Sequence, residues 1–233
     1  MKWLLENKVN SLVFVMLVIL IVGCKKEVKK VALQVKGQES SRVEYLPYYN
    51  DESFTPHWIT PNSKEEKTFH KIPEFNLTNQ LGEIVTHKTF ENKIYVTDFF
   101  FASCPGICPQ MTSSMYKLQE VFEHDAEVLF LSHTVTPTRD SVPVLKTYAE
   151  KNGVISGKWH LVTGNKTEIY NLGRNQYFVE NDLGTPKDIN DFLHSENFLL
   201  IDKNKHIRGI YNGLNRASMA QLVTDIKALK KEI

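Results

Sequence analysis

From residue 72 onward, short apolar runs alternate with segments whose apolar residues recur at helical spacing. Residues 94–101 are nearly all apolar, and so are most of 126–135, 159–164 and 198–202; continuous runs of this length predict strands buried on both faces. Between them, residues 110–122 carry Met111, Met115, Leu118 and Phe122 on one helical stripe, which assigns both methionines to the core. Residues 141–152 predict a helix capped by Ser141 and closed at Asn152-Gly153. Asn79-Gln80-Leu81-Gly82 predicts a hairpin turn within 75–86, and Lys203-Asn204-Lys205 turns the strand at 198–202 back along 206–211. A helix at 167–174, an irregular insertion at 175–191 and a last helix at 219–229 complete the pattern. Strands alternating with helices, then a hairpin and a helix, predict an α/β fold with a central mixed sheet flanked by helices.

The N-terminal part has another texture. Lys2 and Lys8 flank a positive start, and the apolar run at 11–22 is too short for a comfortable membrane span. It closes on Gly23-Cys24, which resembles the bacterial lipobox and implies cleavage after Gly23 with lipid on Cys24. Residues 1–23 are thus read as a lipoprotein signal peptide. Residues 24–70 are read as a lipid-anchored linker and aromatic arm, and 71–233 as the domain. The Lys-rich stretch 25–36 is a solvated linker. Residues 43–61, rich in aromatics and proline, are expected to lie extended across the domain surface, with His57 packed in the arm. A short helix is expected to start within 62–67. This layout places the domain in the cell envelope, outside the cytoplasm, on the periplasmic side of a bacterial membrane.

A chain of 233 residues with a net charge of +1 supports one good core and gives no reason to expect nucleic acid as a partner. Setting Cys24 aside, two of the three cysteines remain, Cys104 and Cys108. A bridge closing so short a loop adds little chain-entropy stabilisation, so chemistry explains the pair better than stapling. They stand in Cys104-Pro105-Gly106-Ile107-Cys108-Pro109, where the run at 94–101 meets the helical stripe. The prolines stiffen the backbone and Gly106 permits dihedrals that other residues resist. In a turn entering a helix, positions i and i+4 share a face, so the sulfurs can form a disulfide or converge on a soft metal. A helix N-terminus lowers a nearby thiol's pKa, which serves both chemistries. The element order suits a thioredoxin-like fold with the cysteines at its first strand–helix junction. Redox sites of that type usually hold two residues between the cysteines. The three found here favour two metal ligands on neighbouring turns. Among the eight histidines, His194 stands out as a third ligand because it lies just before the strand at 198–202.

The cysteine motif Phe100-Phe101-Ala102-Ser103-Cys104-Pro105-Gly106-Ile107-Cys108-Pro109 resembles that of the Sco/SenC family of copper-binding proteins involved in cytochrome oxidase assembly. Trp159-His160-Leu161-Val162-Thr163-Gly164, and His194-Ser195 followed by Phe198-Leu199-Leu200-Ile201-Asp202, are similar to later family motifs. The resemblance, over residues 72–229, implies copper held by Cys104, Cys108 and His194 as Cu(I), with Cu(II) also admitted by the family. It implies a metallochaperone whose partner is the copper-receiving subunit of a respiratory oxidase. The alternative is a thiol-disulfide oxidoreductase using Cys104 and Cys108 as a redox pair on the oxidase subunit or another exported protein. One position departs: Thr136 stands where the family commonly has an aspartate, ahead of Arg139-Asp140. His133, at the end of the second strand, is expected at the surface rather than as an auxiliary ligand.

Overall fold

A computed structural model describes residues 44–179 and 195–232. In chain order these form helix α1 (Lys64–Thr68), strands β1 (Asn76–Asn79) and β2 (Ile84–Thr86), a 3-10 turn (His87–Phe90), β3 (Ile94–Phe100) and α2 (Cys108–Phe122). There follow β4 (Val128–Thr134), α3 (Val142–Asn152), β5 (Trp159–Thr163), and α4 (Lys166–Asn171) running into a π-helical turn (Leu172–Gln176). β6 (Asn197–Ile201), β7 (Ile207–Asn212) and α5 (Arg216–Glu232) complete the domain.

The strands make one mixed sheet in the order β2-β1-β5-β4-β3-β6-β7. Its centre is parallel, β3 with β4 and β4 with β5, and β1, β6 and β7 join antiparallel. The near-continuous apolar runs are the central strands because both faces are covered: every residue of β3, β4 and β5 is buried. One face of the sheet receives Met111 and Met115 of α2, Leu145 of α3, and Leu222 and Ile226 of α5. These pack on Ile94, Val96, Phe130, Trp159 and Leu200, so both methionines are core residues. The other face is covered by Phe75, Phe90, Ile169, Tyr170 and Tyr177. The fold is thioredoxin-like, a mixed sheet between helices, as the alternation of elements predicts.

Helix ends match expectation only in part. Ser141 occupies the N-cap position of α3 but its side chain makes no capping bond. Gly153 closes that helix in the left-handed region at φ +69°, and a Cβ there would sit 2.7 Å from the Tyr116 ring. The helix predicted at 167–174 keeps α geometry only to Asn171 and then widens into the π-helical turn.

The arm is less superficial than its composition predicts. Leu46, Tyr48 and Ile59 are buried, and backbone bridges join Tyr48 to His57 and Tyr49 to Ile207 of β7. Arg208 is the clamp. Its guanidinium donates to the carbonyls of Leu46 (2.6 Å) and Pro47 (3.1 Å), pairs with Asp202 and Glu232, and lies 3.9 Å over the Tyr48 ring. A buried guanidinium is tolerated because its donors meet carbonyls and carboxylates. His57 packs in the arm as expected, its ring 5.3 Å from that of Phe69.

Candidate metal centre

β3 ends at Phe100, and a tight turn, closed by the Cys104 N–H donating to the Phe101 carbonyl at 3.2 Å, carries the chain to α2. Cys108 is the first residue of that helix; Ile107 is its N-cap and makes no side-chain capping bond, and Pro109 stands in the first turn. The leading N–H groups of a helix have no partner within it, and a carboxylate or hydroxyl commonly takes them. Here the Cys104 sulfur takes their place. Burial works against its ionisation. The Cys108 thiol and the N–H groups of Cys108, Gly106 and Ile107 outweigh that burial and hold its pKa below the ordinary thiol value. Cys108, only 6 % exposed, is the opposite case. Burial pushes its thiol up to about 12, with the neighbouring Cys104 and the Asp98 carboxylate adding to the rise against a hydrogen bond with the Phe101 backbone. The pair therefore comprises one partly exposed sulfur more acidic than an ordinary thiol and one buried sulfur much less acidic. Gly106 does not supply the unusual dihedral expected of it: its φ is not positive, and a Cβ there would meet the Cys104 Sγ at an ordinary 3.9 Å.

Both sulfurs border a concavity of about 370 Å³ whose other walls are largely apolar, including Phe101, Ile107 and Val135. Ser195 also lines it. Two carboxylates support this region from within the fold. Asp98 projects from β3, fully buried, and accepts the Ser132 hydroxyl, which in turn accepts the indole N–H of Trp159 at 2.9 Å. Burial raises Asp98 to about 7, with the Ser132 bond opposing. Asp140, just beyond β4, receives three donors on one oxygen: the Ala102 N–H (3.1 Å), the Thr136 hydroxyl (3.0 Å) and the Thr134 hydroxyl. It thereby ties the loop after β4 to the backbone two residues before Cys104.

Of the residues singled out in the sequence, Cys104 and Cys108 are brought together. His194 and Cys24 lie outside the described residues. Among the described residues no group of three histidine, cysteine, aspartate or glutamate side chains is gathered that could hold a metal ion. His133 is not the surface residue expected. It is completely buried on the face of the sheet opposite the cysteines, stacked on Phe99 at 4.7 Å, with Nδ1 3.2 Å from the Thr97 hydroxyl. Burial drives its pKa down to about 3, partly opposed by a hydrogen bond with the Asp98 backbone. In a strand covered on both sides, the residue after Ser132 points away from the thiols whatever its chemistry. Thr136, the departure from the family pattern, donates to Asp140. Asp98 and Asp140 were missed in the sequence, although an acid inside the apolar run at 94–101 is a visible anomaly.

Fold and site together define a thioredoxin-like domain with a dithiol at the junction of a central strand and its following helix. A family model described as SCO1/SenC matches residues 63–231, and the chain belongs to that family. The SCO1 protein homolog of Bacillus subtilis (strain 168) is 24 % identical over 161 residues, covering 68 % of this chain and 82 % of the relative. The crystal structure of a SCO1/SenC family lipoprotein from Bacillus anthracis superposes with a TM-score of 0.60 at 28 % identity, over 69 % of this chain and 95 % of that one. Copper-bound ScoI of Arabidopsis thaliana shares the fold, with a TM-score of 0.53 at 24 % identity over 68 % of this chain and 98 % of that one.

Proposed function

We propose that this protein is a membrane-tethered copper carrier that loads the copper centre of a respiratory oxidase subunit, with Cys104, Cys108 and His194 as ligands. The observation that carries the proposal is the asymmetric dithiol at the mouth of an apolar concavity. Soft sulfur donors suit Cu(I), and an apolar wall protects a low-coordinate ion from water. Cys104, the more accessible and more acidic thiol, receives the cargo first, and Cys108 closes on it with loss of its proton. Since burial pushes Cys108 up to about 12, copper uptake releases that proton and tightens as pH rises. Ser195 on the rim supports the third ligand, because His194 is one peptide bond away from a residue that lines the concavity. Copper bound in a solved relative, and the description of another, BsSco, as a member of the Sco family of cytochrome c oxidase assembly proteins, support the cargo and the recipient. The lipoprotein form of the Bacillus anthracis relative supports the tether at Cys24.

The lowered pKa of Cys104 also favours a second reading, a thiol-disulfide oxidoreductase in which Cys104 attacks and Cys108 resolves. Anaerobic Cu(I) titration of the reduced full-length protein against a competing chelator separates the two. The carrier reading expects one copper per chain, with affinity greatly weakened in both Cys108→Ser and His194→Ala. Unchanged affinity in His194→Ala removes that residue from the site. If thiol exchange also persists in that variant while the wild type binds copper only weakly, the redox reading takes its place.

A further inference from the structure

The arm presents an aromatic surface that the copper site does not use. Trp58 is 55 % exposed, the only aromatic among the large hydrophobic residues left exposed in the described part of the chain. The Tyr45 ring meets it edge-on at 6.4 Å. The pair is held rigidly: Tyr48 and His57 exchange two backbone hydrogen bonds of 2.9 Å, Ile59 is buried beside Trp58, and Arg208 grips the carbonyls of Leu46 and Pro47. The exposed residues that flank Trp58 in sequence, Thr55, Pro56 and Thr60, are uncharged, while Glu44 beside Tyr45 is an exposed carboxylate. The Leu46 N–H donates to Glu232 at 2.6 Å, which sets this ribbon against the C-terminal end of α5. That end carries Lys227 and Lys231, both exposed and without an ion pair among the described residues.

We propose that this end of the domain rests on the lipid surface, with Trp58 and Tyr45 at the headgroup–acyl boundary and Lys227 and Lys231 facing anionic headgroups. The proposal rests on the reading of Cys24 as the lipid-bearing residue. Nineteen residues separate Cys24 from Glu44, where the described part of the chain begins. A flexible chain of that length has an end-to-end distance of about 25 Å, against about 40 Å for the width of a compact domain of this size. The face where the chain enters therefore stays nearest the membrane. Tryptophan and tyrosine favour this boundary because a flat apolar ring carries one polar edge. Lysines add attraction to anionic lipid. A surface this small would bind weakly alone; a tether that holds it at high local concentration makes weak binding sufficient.

The test uses full-length protein from membranes, reconstituted in vesicles of phosphatidylethanolamine and phosphatidylglycerol whose acyl chains carry bromine near the glycerol end. Intact mass first establishes whether Cys24 is acylated. The emission of Trp58 is the difference between wild type and Trp58→Phe, which leaves buried Trp159 in both. In acylated protein that difference emission is expected to shift to the blue and to lose most of its intensity in brominated vesicles. The loss is expected to shrink in the Lys227→Glu, Lys231→Glu variant. Acylated protein whose Trp58 emission stays water-like and unquenched overturns the proposal and leaves the exposed pair to a protein partner. Absence of acylation is a separate failure, of the tether itself, and removes the proposal with it.

Discussion

Replacing Asp98 with asparagine removes one ionisable group from beneath the cysteine pair while keeping its shape and the oxygen that accepts the Ser132 hydroxyl. Burial lifts this carboxyl from its ordinary 3.8 to about 7. A carboxyl whose folded pKa is raised contributes stability below its unfolded pKa and loses it as pH rises through the folded value. The wild type is thus handicapped progressively from about pH 4, and the handicap levels off above pH 7. The full gap is worth roughly 4 kcal/mol at 1.36 kcal/mol per tenfold change in proton affinity, an upper figure because water and relaxation soften buried charges. Urea unfolding of reduced wild type and Asp98→Asn, from pH 4 to pH 9, reads this directly. The variant should gain on the wild type by several kcal/mol across that range, chiefly between pH 4 and pH 7. Because the Asp98 charge also raises Cys108, the same series in a Cys108→Ser background isolates the carboxyl. A stability difference that stays flat with pH, or that favours the wild type at pH 9, would refute the account of Asp98 as a group buried without a counter-charge.

Three further outcomes follow from the same reasoning. His133, held down to about 3, makes the wild type lose stability as pH falls from 6.5, by up to roughly 5 kcal/mol near pH 3; acid unfolding of His133→Phe should show a much shallower decline. Thr136→Val removes one of three donors to Asp140 and should cost about 1 kcal/mol, whereas Asp140→Ala orphans all three at about 1–3 kcal/mol for each that stays buried. Thermal unfolding ranks the two, and Cu(I) competition should show the larger affinity loss in Asp140→Ala, because the Ala102 backbone is then untied from the loop after β4. Arg208→Met leaves Asp202 and Glu232 buried without their cation and should cost about 3–5 kcal/mol; limited proteolysis should then cut within residues 44–59, which the wild type protects.

The central strands were legible because each is covered on both faces, so its apolar run is continuous and belongs to no surface pattern. The cysteine motif was legible for a related reason: two thiols at i and i+4, where such a run stops, are unexplained by packing or stapling. Methionine spacing in α2 named the buried face correctly, since helical periodicity reports the direction of the core. Other residues were hidden by their distance in sequence from what they touch. The arm reads as a surface segment because its clamp, Arg208, lies about 160 residues later. Asp140 reads as a loop acid until folding places the Ala102 backbone against it. His133 reads as a surface histidine until the fold covers its strand on both faces.

By itself, then, the order of apolar runs determined the elements and the layered α/β plan, and the Cys104–Cys108 motif determined that two thiols meet where β3 leads into α2, because both are local properties of the chain. Only the tertiary structure decided how the two thiols differ. Their unequal acidity comes from uncapped helix N–H groups, a buried carboxyl and the depth of each sulfur, and desolvation depends on everything that surrounds a group rather than on its neighbours in sequence.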